Sequence, residues 1–212
     1  MTKAREVRAA VMTAVNEMEV RSFPYPEVQD DGALVRMKMC GICGTDKHIF
    51  AGMPPSDLIA RPPIILGHEN LGVIEEIGEM ARTAMAAQGG ELKVGDRVTL
   101  EPYLGCGRCY PCREGRINCC VDLKLWGINM DGGLQEYITL PVDHLYPSRR
   151  PLSYEELALV ETASIGDHAV RRAAVRPGEL VFIIGAGPIG IGAMLAAKAR
   201  GARVAMADLN ER

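Results

Sequence analysis

Four of the chain's seven cysteines, Cys106, Cys109, Cys112 and Cys120, fall within fifteen residues of one another. Two CxxC steps and a further cysteine eight residues on bring four thiolates into one loop, and Gly105, Gly107, Pro111 and Gly115 allow its tight turns. Tetrahedral zinc with all-cysteine ligation uses such a loop and keeps no position open, so the expected site is structural rather than catalytic. The spacing matches neither common ferredoxin pattern, which sets an iron–sulfur cluster aside. On spacing alone, Cys119 could stand in for Cys120.

Two further segments carry metal-type residues: Gly41-Ile42-Cys43-Gly44-Thr45-Asp46-Lys47-His48 and Gly67-His68-Glu69-Asn70-Leu71-Gly72. A cysteine, a histidine and a carboxylate together supply three protein ligands and leave one position for water or substrate, the pattern of a catalytic zinc. Neither segment says this by itself. A lone histidine is more often structural, and a lone cysteine is usually a small core hydrophobe.

Such ligands need a scaffold that brings distant loops together. Short apolar-rich runs at residues 10–15, 33–39, 72–77, 97–100 and 137–140 are separated by turn residues such as Asp31-Gly32, Gly89-Gly90 and Asp131-Gly132-Gly133. They predict an irregular antiparallel β domain over residues 1–152. The character changes after Pro151, and residues 153–212 form the second part. Ser153 with Glu156 reads as a capping box that opens a helical stretch. Residues 180–184 then form a fully apolar strand, followed by Gly185-Ala186-Gly187-Pro188-Ile189-Gly190, a helix to about residue 200, and a strand at 203–207 ending in Asp208. Strand, glycine turn, helix and strand make one βαβ unit. In that context Gly185, Gly187 and Gly190, with Pro188 and Ile189 between them, suit a dinucleotide pyrophosphate at a helix N-terminus. Asp208, eighteen residues past Gly190, suits the ribose hydroxyls and repels a 2′-phosphate, which favours NAD over NADP.

The motifs GICGTDKH, GHENLGVIEEIG, KVGDRV, GRINCC, DGGLQEYI, ETASIGDHAVRRA and GAGPIG, in this order along the chain, resemble the zinc-dependent medium-chain dehydrogenase/reductase family. Within it the chain is most similar to the polyol, sugar-acid and threonine dehydrogenase branch. The resemblance implies an α/β protein with a β-rich part: a GroES-like catalytic domain, then the first βαβ unit of a Rossmann cofactor domain. It implies two zinc ions per chain. One is structural, on Cys106, Cys109, Cys112 and Cys120, which leaves Cys119 as a packing residue. The other is catalytic, on Cys43 and His68, with Glu69 and Glu161 as its acidic positions. It further implies Thr45 as the hydroxyl that accepts the substrate proton and His48 as the outer end of the relay to solvent. The implied substrate is a small secondary alcohol whose hydride passes to NAD. Cys40 falls on the preceding strand as a core residue, and His144 and His168 have no metal-type neighbours in sequence.

Bulk composition fits a soluble globular protein, with 48% apolar and 24% charged residues. A net charge of −3 offers no basic field for nucleic acid or anionic lipid. The charged start leads into no apolar signal core, so a cytoplasmic location is expected, with the cysteines reduced. Residues 180–197 carry no charge, yet the glycines and the proline inside the run argue for strand, turn and helix rather than a membrane span. One βαβ unit is less than the six strands of a complete cofactor fold. The chain therefore reads as a fragment of a longer enzyme that forms homo-oligomers, or else as a non-catalytic zinc-binding module.

Overall fold

Val7, Ala9 and Val11 alternate inward along the first strand, the period that puts one face of a strand in a core. In the computed structural model, which describes residues 6–55, 60–87 and 92–210, this strand is β1 (Glu6–Ala14). It turns back through Asn16, whose positive φ of 61° suits asparagine, into β2 (Glu17–Pro24). Then come β3 (Gly32–Gly41), α1 (Gly44–Phe50), β4 (Ile64–Ile65), β5 (Glu69–Ile77) and α2 (Glu79–Ala87). The first part continues with β6 (Arg97–Leu100), β7 (Tyr103–Leu104), α3 (Tyr110–Arg113), β8 (Lys124–Leu125), β9 (Tyr137–Pro141), β10 (Leu145–Pro147) and α4 (Tyr154–Ala158). The last elements are α5 (Val160–Arg172), β11 (Leu180–Ile184), α6 (Pro188–Ala199) and β12 (Arg203–Ala207). The strand β2 and the helix α2 are additions to what the sequence pattern suggested.

A five-stranded antiparallel sheet in the order β10-β6-β5-β3-β9 and a three-stranded sheet, β2-β1-β4, carry the first part, with β7 and β8 as a separate small ribbon. Val35, Ile74, Val98, Ile138 and Leu140 form the main core on the larger sheet, closed by Trp126. A second cluster of Met12, Ile49, Ile64, Leu66 and Ile128 ties α1 to β1 and β4 through Ile49. The chain divides into two compact units, Met1–Ala158 and Leu159–Arg212, and α4 packs on β3 and β5 of the first. The Arg97 guanidinium holds the approach to α4 by donating to the Leu152 and Arg150 carbonyls. The capping box is present in both directions: Ser153 N–H donates to Glu156 at 2.7 Å and Glu156 N–H to Ser153 Oγ at 3.1 Å.

Residues 131–134 run alongside residues 65–67. Gly132 N–H donates to Ile65 O (2.7 Å), Gly133 N–H to Gly67 O (2.9 Å) and Leu134 N–H to Leu66 O (3.0 Å). Asp131 completes the latch by accepting from Ile65 N–H at 2.9 Å. Here Gly67, Gly127 and Gly132 meet backbone against backbone, so that a Cβ on Gly127 or Gly132 would overlap the Gly67 carbonyl.

In the second unit β11 and β12 pair in parallel, in register from Leu180 with Arg203 to Ile184 with Ala207. Val170, Ala197 and Ala202 form the core with α5 and α6, and Asp167 pairs with Arg200 at 2.8 Å. The apolar strand at 180–184 is not covered on both faces among the described residues. Leu180, Phe182 and Ile184 are 63%, 62% and 85% exposed, where a parallel sheet ordinarily has both faces packed. The uncharged run at 180–197 resolves into β11, the glycine turn and most of α6. Among the described residues no helix is long and apolar enough to cross a membrane.

Candidate metal centres

The cysteine lobe is held by very little besides its thiols. Helix α3 has four residues, Cys109 stands at its N-cap, and one 3-10 turn, Ile117–Cys119, leads to Cys120. Ligand atoms of Cys106, Cys109, Cys112 and Cys120 all lie within 4.8 Å of one another. Cys120 is the buried member, and its sulfur accepts backbone N–H bonds from Cys106 and Asp122, each at 3.3 Å. Cys119 is exposed and outside the group. Backbone N–H groups of Val121 and Cys112 hold the Cys109 thiol down to about 6, whereas desolvation and then the neighbouring Cys109 push Cys112 up to about 12. Four thiols so close cannot all ionise unaided. A dication balances the charge, and four sulfurs with N–H support fit zinc.

The second group is assembled from two segments 25 residues apart in the chain, Cys43 and His68. Cys43 is the N-cap of α1, just after β3, while His68 and Glu69 stand at the start of β5. Pairing of β3 with β5 puts Gly41 opposite Glu69 and Cys40 opposite Asn70. A Cβ on Gly41 would overlap the Glu69 carboxylate, so glycine there makes room for the acid. Ligand atoms of Cys43, His68 and Glu69 converge within 4.8 Å of one another.

Asp46, which the sequence reading passed over, binds the two segments together. Its carboxylate is buried, with 3% of the residue exposed. Oδ2 accepts from Cys43 N–H at 2.8 Å and Oδ1 from Gly67 N–H at 3.3 Å. His68 Nδ1 lies 3.5 Å from the same Oδ1, beyond a good hydrogen bond, and this buried nitrogen has no other partner among the described residues. Burial works against charge on His68, but Asp46 and then Cys43 outweigh it and raise its pKa to about 9. The one available signal was the position of Asp46 three residues after Cys43, where a carboxylate caps the start of a helix. A thiolate, an imidazole with an unsatisfied buried nitrogen, and a carboxylate are a fitting donor set for zinc with an open position. Burial, then the charges of Asp46 and Glu69, push the Cys40 thiol up to about 12, so it stays neutral beside the centre.

Thr45 and His48 lie three residues apart on α1 and share a face, with Thr45 half-buried and His48 exposed. Glu161 lies in the first turn of α5, in the second unit. His144 makes structural contacts: Nδ1 meets Asp143 at 2.7 Å, Nε2 meets the Tyr103 carbonyl at 3.1 Å, and the ring packs edge-on against Trp126. Gly185, at φ 99°, makes the turn after β11; Gly187 is the N-cap of α6, followed by Pro188 and Ile189. A Cβ on Gly190 would overlap the Gly185 carbonyl. Asp208 reaches back to this turn, accepting from Ala186 N–H at 2.6 Å and Asn210 N–H at 2.8 Å. Backbone N–H groups of Asn210 and then Ala186 keep its carboxyl below the usual range.

An irregular β domain with a four-cysteine group and a Cys-His-Glu group, followed by a βαβ segment, places the chain among the zinc-type dehydrogenases. Residues 29–150 match the alcohol dehydrogenase GroES-like domain. The chain belongs to the zinc-type medium-chain alcohol dehydrogenase family, in its sorbitol, idonate and galactonate dehydrogenase branch. It is 38% identical over 202 residues to sorbitol dehydrogenase of Bacillus subtilis (strain 168), covering 95% of this chain and 55% of that one. It is 42% identical over 188 residues to L-galactonate-5-dehydrogenase of Escherichia coli (strain K12), covering 89% and 51%. The solved structure of galactitol-1-phosphate dehydrogenase from Escherichia coli superposes with a TM-score of 0.85 at 29% identity, covering 96% of this chain and 56% of that one. The chain thus spans about half the length of the curated relatives it matches.

Proposed function

We propose that this chain carries the zinc-binding part of a dehydrogenase that oxidises a secondary alcohol of the polyol or sugar-acid class with NAD. The observation that carries the reading is the convergence of Cys43, His68 and Glu69 beside buried Asp46, with Thr45 and His48 on one face of the adjoining helix. Cys43, His68 and Glu69 would hold the metal. A zinc bound there would supply the acidity that lowers the pKa of a substrate hydroxyl, with NAD as the hydride acceptor. Thr45 Oγ1 takes the hydroxyl proton and His48 hands it to solvent from the exposed end of the face. Gly185, Gly187, Pro188, Ile189 and Gly190 receive the pyrophosphate at the N-terminus of α6. The four-cysteine group holds a structural zinc. A non-catalytic zinc-binding module is the alternative that draws on the half-length match to the relatives.

Metal analysis of chain purified without chelator should give two zinc ions per chain, because the two donor sets share no residue. One ion or none in a folded chain would overturn the two-site reading. Assay with NAD against polyols and sugar acids, in this chain and in a form extended to the length of its relatives, separates the two functions. Turnover in either form supports the dehydrogenase; two bound zinc ions without turnover in both support the module.

Asp208 supplies the test of cofactor preference. Its carboxylate is fixed at the glycine turn, where it suits ribose hydroxyls and opposes a 2′-phosphate. Asp208→Ser should move the NAD/NADP affinity ratio toward NADP by about 10- to 100-fold, the scale of one charged hydrogen bond. Calorimetric titration reads the ratio. An unchanged ratio would remove Asp208 from the cofactor site.

A further inference from the structure

We infer that Asn70 is a positioning residue for the metal-binding histidine, holding the peptide from which His68 projects. The inference rests on the reading of Cys43, His68 and Glu69 as a metal centre. Asn70 is 4% exposed, and its Nδ2 donates to the Gly67 carbonyl at 3.1 Å. That oxygen also accepts from Gly133 N–H at 2.9 Å, and Gly67 N–H donates to Asp46 at 3.3 Å. The residue before His68 is thus bonded from the front by Asp46 and from behind by Asn70 and the 131–134 segment. It needs such bonds, because Gly67 sits at φ 97°, a conformation that nothing else in its covalent structure enforces.

The amide's other half shows that volume alone does not explain the residue. Among the described residues Asn70 Oδ1 is buried without a hydrogen-bond partner, and it abuts Gly133, where a Cβ would overlap it. A buried amide with one half unsatisfied costs stability that a leucine of similar size would not. The neighbours on the same strand, Leu71 and Ile74, are apolar and fully buried. The polar side chain at position 70 is accounted for by its donor, which a carbonyl requires and a hydrocarbon lacks. Turning the amide over would set Oδ1 against the Gly67 oxygen, so the orientation is fixed by its partner.

Cobalt(II) reports on this role directly. Added to chain whose four-cysteine group carries zinc, it should give the visible d–d bands and thiolate charge-transfer absorption of a cysteine-ligated centre. Asn70→Leu keeps the volume and loses the donor, and should weaken cobalt binding about 10- to 100-fold, the usual effect of losing an outer partner of a ligand. It should also shift the d–d bands while leaving the four-cysteine zinc in place. Asn70→Asp, measured at pH 8, sharpens the sign. Added negative charge alone would strengthen cation binding, whereas loss of the donor weakens it. Gly133→Ala should act in the same direction by displacing the amide, and should add little in an Asn70→Ala background. Unchanged cobalt affinity and spectrum in Asn70→Leu and Asn70→Asp would overturn the role, even where those variants melt earlier. Absence of cobalt bands in the unmodified chain would overturn the centre itself, and this role with it.

Discussion

Cys120→Ser should strip the cysteine lobe of its metal and lower the melting temperature of the first unit by about 6–12 °C. The lobe has scarcely any apolar core: α3 is four residues long, β7 and β8 are two residues each, and Tyr110, Ile117 and Val121 are exposed. Its order comes from the four sulfurs and the N–H groups that point at them. Structural zinc sites couple about 10–16 kcal/mol of binding to folding. Forfeiting even about 3 kcal/mol of it gives the stated shift at about 2–4 °C per kcal/mol for a protein of this size. Calorimetry with parallel zinc analysis checks both halves. A variant that lost zinc and melted with the wild type would show that the lobe folds without its metal. Cys119→Ser provides the contrast, and should change neither stoichiometry nor melting.

His68→Ala should reduce the zinc content from two ions to one while the four-cysteine site stays loaded and the fold persists. In a form that turns over, the rate should fall by about 10³-fold or more, since the metal's charge stabilisation amounts to several kcal/mol at about 1.4 kcal/mol per tenfold. Equal damage from His68→Ala and Cys120→Ser to fold and to metal content would defeat the division into open and closed sites. The same residue sets a pH dependence. With its pKa raised to about 9, metal-free His68 carries a proton at neutral pH that zinc must displace. Affinity at this centre should therefore drop by at least about tenfold per pH unit as pH falls below about 9. For the metal-free fold the sign is the reverse. A raised folded-state pKa contributes stability that is full below the unfolded value of about 6.5 and is lost as pH climbs through about 9. Zinc titrations from pH 6 to 10 decide the first claim.

What could be read from the sequence was what lies close along it. The four-cysteine group closes within one loop and the glycine turn within one βαβ segment, so spacing locates both, and only the choice of Cys120 over Cys119 needed the family resemblance. The strand at 180–184 and the one at 203–207 fall where the apolar runs put them. Cys43, His68 and Glu69 were gathered by motif order, and β3–β5 pairing supplies the reason they meet. Asp46 escaped notice because its bond to Gly67 exists only in the folded chain, and Asn70 because its short-range bond depends on a backbone turn that residue types do not display. One bridges α1 to Gly67, and the other turns back from β5 onto the Gly67 carbonyl. The strand β2 was missed for a different reason. All eight of its residues are exposed, so no buried alternation marks it, and only its pairing with β1 defines it.

The three glycines that meet at positions 67, 127 and 132 have a bearing on how this chain can change over evolutionary time. Gly127 and Gly132 lack a side chain because the Gly67 backbone occupies the space, and Gly67 because of its φ of 97° and the Cys40 sulfur beside it, so none of the positions is free to drift alone. A single base change giving alanine at Gly127 or Gly132 would press on the Gly67 carbonyl and, one bond further along, on the histidine. Relief would need displacement of the 131–134 segment, which simultaneous substitution elsewhere in the trio only makes harder. The three behave as one inherited character, and lineages descending from this sequence should carry all three or have rebuilt the whole turn.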